Sequence, residues 1–454
     1  MSDLLSIGAS GVRAYQTALS TVGENIANVG TTGYTRRTVS LSEVQGTGSI
    51  SQYGAGNGVI LSAVNRASNS YASTALRSST ADLTRTTSGA QWLDKIQSAL
   101  TGNNLTTRVT SFFASAQSLA AEPGSSALRT GMVSAAQSAA IAFTATGQAF
   151  DQIDDDMDTA GVQAGVDLTS LGSSLAKINA GLGRSQPGST AAAQLMDQRD
   201  TILDQMSEFV DVDVKTDALG RVTVGIGGAA GASFVKGDQS GSVGYQRNSD
   251  GTVGFNVTVN GVTNVLSPNG GSMAGMIDGA QRVAAIRQNL NEVAADFAKT
   301  VNDSQAAGAD LSGAPGKPLF ETGDPATAMK VVLTDGSGIA AASLQTDSAG
   351  NTVSAGNRNG GNLASLEGLR TSKGFESSLT ALVTDNATAY KQKNTIADAQ
   401  SAIRDGAETA VSTATGVNLD SEAVDLMRFQ QAYSASSRII QVARDTFQSI
   451  LDIR

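Results

Sequence analysis

Five aspartates crowd one stretch, Asp151, Asp154, Asp155, Asp156 and Asp158, and clustered carboxylates are what a cation site is made from. An EF-hand loop needs oxygen ligands at fixed steps and a glycine at its sharp turn. Ile153 and Met157 interrupt that pattern, so the cluster reads as the solvated face of a helix. The run Gly225-Ile226-Gly227-Gly228-Ala229-Ala230 fits a relaxed dinucleotide fingerprint. Such a loop must open a helix, and Ser233-Phe234-Val235 continues as strand-forming sequence instead. The run therefore reads as a turn in a β region. Two carboxylates astride a glycosidic bond would make a hydrolase, but the 41 acidic residues offer many pairs and nothing marks one as buried. The chain has no Cys and no His. Disulfides, thiolate metal sites and the usual general base are thereby excluded.

These sparse chemical prospects sit in a chain of 454 residues, long enough for two to four domains. Hydrophobic content is 40% but aromatics reach only 4%, with 50 glycines. Cores must then be thin and built from Ala, Val, Leu and Ile, which suits long paired helices. The net charge of -10, with no basic block, argues against nucleic acid and against anionic membranes. No stretch is apolar enough to insert in a membrane as a helix, and the N-terminus lacks the layout of a cleaved signal peptide.

The ends are more informative. Leu5, Gly8, Val12, Tyr15, Leu19, Val22 and Ile26 recur at alternating steps of three and four. Leu426, Phe429, Tyr433, Ser436, Ile440, Ala443, Phe447 and Ile450 do the same at the other end. That alternation is the seam of a coiled coil. It serves equally as a core within one chain or as an interface between copies. Asn25 to Arg37 follows the first stripe, and its Asn and Gly residues read as a helix C-terminus with Asn25 and Asn28 as capping residues. Arg36 and Arg37 read as surface charges or as partners of the acidic excess.

The run Ala18-Leu19 to Thr21, then Asn25-Ile26-Ala27-Asn28, then Thr32-Gly33-Tyr34 resembles the N-terminal signature of bacterial flagellar axial proteins, the rod, hook and junction family. Gly416-Val417-Asn418-Leu419-Asp420 with Phe429-Gln430-Gln431-Ala432-Tyr433 is similar to the matching C-terminal end. Arg36 after Tyr34-Thr35, the Phe-Gln-Gln-Ala-Tyr run, Leu195 to Asp200, and Asn362-Leu363 with Leu366 favour the junction members. The resemblance implies a structural subunit without an active site or cofactor, joining hook to filament. It implies self-assembly into a tube or ring through the terminal helices. Partners would be the hook protein, the second junction protein (hook-associated protein 3) and an export chaperone at the C-terminal helix. The place would be the extracellular flagellum, reached through the flagellar type III apparatus without signal cleavage.

Along the chain, a strand from Arg37 to Ser42 is expected to meet Val59 to Val64 across a Gly/Ser-rich loop, Gly46 to Gly58. Helical periodicity then gives five helices: Ser68 to Leu100 with Tyr71 on its stripe, Leu105 to Ala121, Ser126 to about Gln163, Leu168 to Ala180, and Thr190 to Glu208. Val210 to Leu266 alternates short strands with turns, Asp250-Gly251 and Asn260-Gly261 being the strongest hairpin signals. Helix returns from Ser272 to Ala307. Residues 308–360 carry one clear strand, Met329 to Leu333, and helices follow from Phe375 to Thr413 and from Asp420 onward.

The expected fold is mainly α with inserted β, an elongated rod of several domains. Residues 1–50 plus 414–454 form an inner layer of paired terminal helices. Residues 51–209 plus 271–413 form a helical middle layer, irregular at 308–360, and 210–270 a small antiparallel β domain outermost, of which Val210 to Leu266 should be removable, with a short linker in its place, without loss of assembly. Leu5, Val12, Tyr15, Leu19, Val22, Ile26, Leu426, Phe429, Tyr433, Ile440, Phe447 and Ile450 are the expected assembly interface, ordered only on assembly. Asn25, Asn28, Gly33, Tyr34 and Arg36 form the signature turn. The rivals are a hook or distal-rod axial subunit and, from another class, a secreted carboxylate-dependent hydrolase.

Overall fold

The computed structural model describes residues 2–44, 58–228 and 232–452. Helix α1 (Ser2–Ala27) ends in a turn where Gly33 takes a positive φ of 79°. Strands β1 (Arg37–Glu43) and β2 (Val59–Arg66) then pair antiparallel, Arg37 opposite Arg66 and Val39 opposite Val64. Most of the loop between them, 45–57, lies outside the described residues. Next come α2 (Ser70–Gly102), α3 (Leu105–Ala121), α4 (Ser126–Arg184) and α5 (Thr190–Phe209). Asn69, Ser125 and Ser189 start α2, α4 and α5 by accepting the N–H groups of Ala72, Leu128 and Ala192. Tyr71, expected on the packed stripe of α2, is instead 85% exposed.

Two helices expected from the sequence, 126–163 and 168–180, are one helix of 59 residues. No proline interrupts it, and its glycines are contact points rather than breaks. A Cβ at Gly161 would come within 2.3 Å of the Tyr245 ring, and one at Gly172 within 2.6 Å of Phe234. Small residues on α4 thus let β structure lie directly on the helix.

That β structure comprises two antiparallel sheets. One contains β3 (Val212–Thr216), β4 (Val222–Ile226), β5 (Ala232–Lys236) and β6 (Gln239–Ser240) in sequential order. The other contains β7 (Ser242–Arg247), β8 (Val253–Val259) and β9 (Val262–Leu266). Asn260 and Gly261 turn β8 into β9 with φ of 51° and 78°, the mirror-image turn that Asn-Gly favours. Around Asp250-Gly251 the connection is longer, spanning 248–252.

Helix α6 (Gly271–Ala306) leads to β10 (Gly308–Ala309), β11 (Phe320–Thr322), β12 (Met329–Val331), β13 (Ala342–Thr346) and β14 (Thr352–Ser354). Four of these five strands escape sequence patterning because most are only two or three residues long. Their turns repeat one device. Asp310 accepts the N–H groups of Ser312 and Ala314, and Asp347 those of Ala349 and Asn351. Helices α7 (Gly361–Lys373), α8 (Phe375–Thr415) and α9 (Leu419–Leu451) complete the chain. The molecule is mainly helical, with long helices at both termini, a helical middle and small antiparallel sheets.

The principal core is continuous. Phe112, Phe113, Phe143, Phe297, Phe320 and Phe375 gather where α3, α4, α6, β11 and α8 meet. Val224, Phe234, Phe255 and Val257 of the sheets belong to the same buried cluster. The expectation that residues 210–266 can be cut out is therefore at odds with the packing: the sheets cover an apolar face of α4. A separate small cluster, Ala18, Val22 and Phe429, joins α1 to α9.

Candidate functional site

The two terminal helices lie antiparallel. Small residues set their spacing: a Cβ on Gly8 would sit 2.7 Å from Ile440 Cγ1, and one on Gly11 2.5 Å from Ser436 Oγ. Tyr15, Leu19, Ile26, Val39 and Leu426 pack around the Ala18, Val22 and Phe429 cluster, with the Tyr15 and Phe429 rings 6.4 Å apart. Val12, Tyr433 and Ile440 are half-buried, whereas Leu5, Phe447 and Ile450 remain exposed. Most members of the sequence-derived stripes thus meet inside one chain. A second, outward face of α9 escaped the sequence reading: Val424, Met427, Ile439 and Val442 are exposed. Its signal, another set at helical spacing offset from the first, was present but overshadowed by the stronger stripe.

At the inner end of this pair is a buried polar knot. Asn25 is fully buried within α1, not at its cap. Its Nδ2 donates to the Arg37 carbonyl at 2.8 Å and to Glu422 Oε2 at 2.9 Å. Its Oδ1 accepts from the Tyr34 hydroxyl at 2.8 Å and the Arg37 N–H at 3.0 Å. Asparagine carries two donors and two acceptor lone pairs, and all four are engaged. An aspartate could not donate, and a leucine would leave Glu422 and Tyr34 without these partners.

Glu422, only 1% exposed, also accepts from Arg36 Nε at 2.6 Å. Arg36 reaches Asp425 at 3.3 Å, and its N–H donates to the Thr415 carbonyl. Arg37 is buried, bridging Glu24 at 3.2 Å and Asp197 at 3.0 Å, with its guanidinium 4.8 Å from the Tyr34 ring centre. Neither arginine is a free surface charge; both answer the acidic excess. Asp197 in turn accepts from the Thr35 hydroxyl and from Arg66 Nε, each at 2.6 Å. The network continues through Asp200, Arg77 and Asp204 along α5 and α2. Burial pushes the Tyr34 hydroxyl above its ordinary pKa, against the opposing pull of Arg37. Asn28 stands outside the knot, its side chain donating to the Glu24 carbonyl, and Gly33 is exposed in the turn.

The knot sutures three distant stretches: the turn after α1, the start of α9, and α5. Sequence reasoning found Asn25, Tyr34 and Arg36 but missed Glu422, Asp197 and Arg66, whose partners lie 131 to 397 residues away.

The acidic cluster on α4 is not the solvated face expected. Asp154 pairs with Arg247 at 2.9 Å and Arg287 at 2.6 Å, Asp158 takes Arg247 at 2.7 Å and the Tyr245 hydroxyl, and Asp151 pairs with Arg287. Asp156 holds Lys95, and Asp155 is exposed. These acids pin β7 and α6 to α4, because the arginines arrive from elements far off in sequence. Burial raises the Asp154 carboxyl despite its two arginines. Gly227 and Gly228 lie in the β4–β5 connection with positive φ, and a strand follows. Ala229 and Ala230 lie outside the described residues. Among the described residues no three acidic side chains are grouped to hold a metal ion, and no helix is long and apolar enough to cross a membrane.

Long paired helices at the two termini, joined to a helical middle with small antiparallel sheets, fit the class of flagellar axial proteins. The models "Flagella basal body rod protein" and "Flagellar basal body rod FlgEFG protein C-terminal" match residues 5–35 and 411–453. Between them, "Flagellar hook-associated protein FlgK helical domain" matches residues 90–320, and the chain belongs to this flagellar hook-associated protein family. It is 24% identical to flagellar hook-associated protein 1 of Escherichia coli over 560 aligned positions covering 100% of both chains. With the Salmonella typhimurium protein of the same name it shares 26% identity, over 72% of this chain and 60% of that protein. In fold it is similar to the flagellar hook junction protein FlgK from Burkholderia pseudomallei, with a TM-score of 0.65 at 15% identity, covering 74% of this chain and 99% of that one.

Proposed function

We propose that the chain is a structural subunit of the flagellar hook–filament junction, without catalytic activity. It polymerises through its terminal helices and contacts the hook protein on one side and hook-associated protein 3 on the other. The observation that carries this reading is the terminal helix pair itself, closed inward by the Asn25–Glu422 knot while α9 presents Val424, Met427, Ile439 and Val442 outward. An exposed apolar face on a long helix is disfavoured in a protein that remains alone. In this reading 1–50 with 414–454 form the inner layer, 51–209 with 271–413 the middle, and 210–270 the outer surface. Leu5, Phe447 and Ile450 serve contacts between copies, and the remaining stripe residues hold the pair that presents them. Export proceeds through the flagellar type III apparatus, with a chaperone covering the C-terminal helix.

Against the hydrolase reading, four acids near the cleft between α4 and α6 are engaged in bonds of their own. Asp154 and Asp158 clamp arginines, Asp250 accepts from Thr252 in its own turn, and Glu292 accepts from Gln288. The rod and hook alternatives lack a match of comparable reach to the helical-domain match over residues 90–320. The test is a clean gene deletion. Hooks should form, filaments should be absent, and filament subunits should appear in the medium. Normal filaments on the deleted strain would overturn the reading.

A further inference from the structure

A glycine that follows asparagine opens the chain to attack on itself. The glycine carries no side chain, so its backbone nitrogen can reach the Cγ of the asparagine before it. Three such pairs lie among the described residues: Asn260-Gly261, Asn269-Gly270 and Asn359-Gly360. Attack requires rotation about the asparagine backbone, so the looser the pair, the faster the reaction. The fold holds the three to very different degrees.

Asn269-Gly270 is clamped along its backbone. The N–H groups of both residues donate to Asp211 Oδ1, at 2.8 and 3.4 Å, and the Asn269 carbonyl accepts from Arg85. Asn359-Gly360 is clamped at its side chain. Asn359 Oδ1 accepts the N–H groups of Ser343 and Gly361, each at 2.9 Å. Gly360 lies so near α3 that a Cβ on it would fall 2.0 Å from the Ala120 carbonyl oxygen. Both pairs open helices, α6 and α7, that are packed into the principal core. Asn260-Gly261 has neither restraint. Both residues are exposed, and among the described residues no hydrogen bond engages the Asn260 side chain or the Gly261 N–H. Nothing lies within 4 Å of where a Gly261 Cβ would stand. Their turn holds only β9, the edge strand of its sheet, whose Val262, Thr263, Asn264 and Val265 are all exposed. Opening it therefore disturbs little of the fold.

We propose that Asn260 is a site of spontaneous modification, converting to aspartate and isoaspartate in the folded protein ahead of Asn269 and Asn359. The Gly261 nitrogen gives up its proton and bonds to Asn260 Cγ. Nδ2 leaves with that proton as ammonia, and a cyclic succinimide remains. Water then opens the ring at either carbonyl. One opening gives aspartate; the other routes the main chain through Cβ and Cγ and gives isoaspartate. Nothing is oxidised or reduced. Either product sets a carboxylate at the tip of the β8–β9 hairpin, within a stretch, 251–277, that has no charged residue. Isoaspartate also lengthens the turn and works against the pairing of Val259 with Val262.

The test is peptide mapping by mass on the full chain, held folded in warm, neutral buffer and sampled over time. Conversion of amide to acid at Asn260 should run roughly tenfold or more ahead of Asn269 and Asn359, whose opening breaks tertiary bonds. In the same chain unfolded by urea the three should convert at similar rates, because each is followed by glycine. Asp211→Ala removes the acceptor that holds Gly270. In that variant, checked as folded by circular dichroism, Asn269 should convert faster while Asn260 keeps its rate. An Asn260 that stays an amide in the folded chain, or that converts no faster than the other two, overturns the proposal. A folded Asp211→Ala chain in which Asn269 is as slow as before overturns the clamping on which the ranking rests.

Discussion

In the helical body Phe297 meets five other phenylalanine rings with centroids 5.3–5.9 Å away, whereas the terminal pair has one aromatic contact, Tyr15 with Phe429 at 6.4 Å. The body is held by volume: large rings fill a continuous core, and alanines and glycines let the helices and sheets close on it. The terminal pair is held by a thin seam and by satisfied polar groups, with Asn25 and Glu422 buried at its end. Large apolar cores tolerate loss of a polar bond but not of volume. A thin seam with a buried polar hub has the reverse sensitivity, since an orphaned buried group keeps its full desolvation cost.

The largest effect should come from removing residues 210–266 and joining the ends with a short linker. Gly161, Gly165, Leu168, Gly172 and Leu175 are buried on α4, and the sheets help to cover that helix. The deletion should cost the body its cooperative unfolding and much of its helical circular dichroism. A truncated protein with the remaining helices intact and a sharp melt would show that the sheets are an independent unit after all.

Phe297→Ala comes next. It should lower the stability of the body by about 3–5 kcal/mol, read by denaturant titration of the single tryptophan, Trp92, which is buried in the same core. Hydrogen exchange in α1 and α9 should change little. Glu422→Ala should do the opposite. Asn25 and Arg36 lose their shared acceptor, a cost of about 2–3 kcal/mol given that Arg36 can still reach water. The Trp92 transition should stay in place while amide protection falls in α1, in the turn and at the start of α9. Equal losses in both regions from either variant would abolish the distinction between them.

Asp154 gives a smaller, pH-dependent contrast inside the body. Burial holds its folded pKa above the ordinary carboxylate value, so the folded chain binds this proton more tightly than the unfolded one. Its contribution to stability is then fully present below the unfolded value and is withdrawn as pH rises through the folded pKa. Asp154→Asn removes that dependence. Compared with the unaltered chain, the variant should gain relative stability as pH rises from below the ordinary carboxylate value through the raised folded one, as urea midpoints would show. A relative loss over that interval would mean that the two arginines outweigh burial.

How much of this was legible in the sequence follows the same division. The helices and strands were readable where periodicity ran long, in α1, α2, α6, α8 and α9, and where Asn260-Gly261 forced a turn. The single length of α4 was hidden because its glycines look like breaks until Tyr245 and Phe234 are seen resting on them. Asn25, Tyr34 and Arg36 stood out by family resemblance, but their burial did not. Asn25 is a hub only because Glu422 arrives from 397 residues away. The acidic run on α4 was misread for the same reason, since Arg247 and Arg287 are distant in sequence. Local pattern reports what a residue can do, and long-range topology decides which partner it meets.

The smallest effect on the isolated chain, and the sharpest separation of seam from outer face, should come from neighbouring residues of α9. Ile440 is half-buried with Cγ1 against Gly8, while Val442 is 60% exposed on the outward side. Ile440→Asp, and likewise Leu19→Asp, places a carboxylate within the seam, where an unpaired charge is costly; hydrogen exchange should accelerate along both terminal helices. Val442→Asp leaves every seam contact in place. It should shift monomer stability by less than about 0.5 kcal/mol, the usual range for a surface change, and leave terminal-helix exchange unaltered. If the outward face of α9 is buried between copies, the same carboxylate becomes costly only in the assembly, and Val442→Asp should be missing from isolated flagella. Exchange measured on the monomer and abundance measured on flagella therefore separate the two residues. Assembly of Val442→Asp at the unaltered level would show that this face stays in solvent.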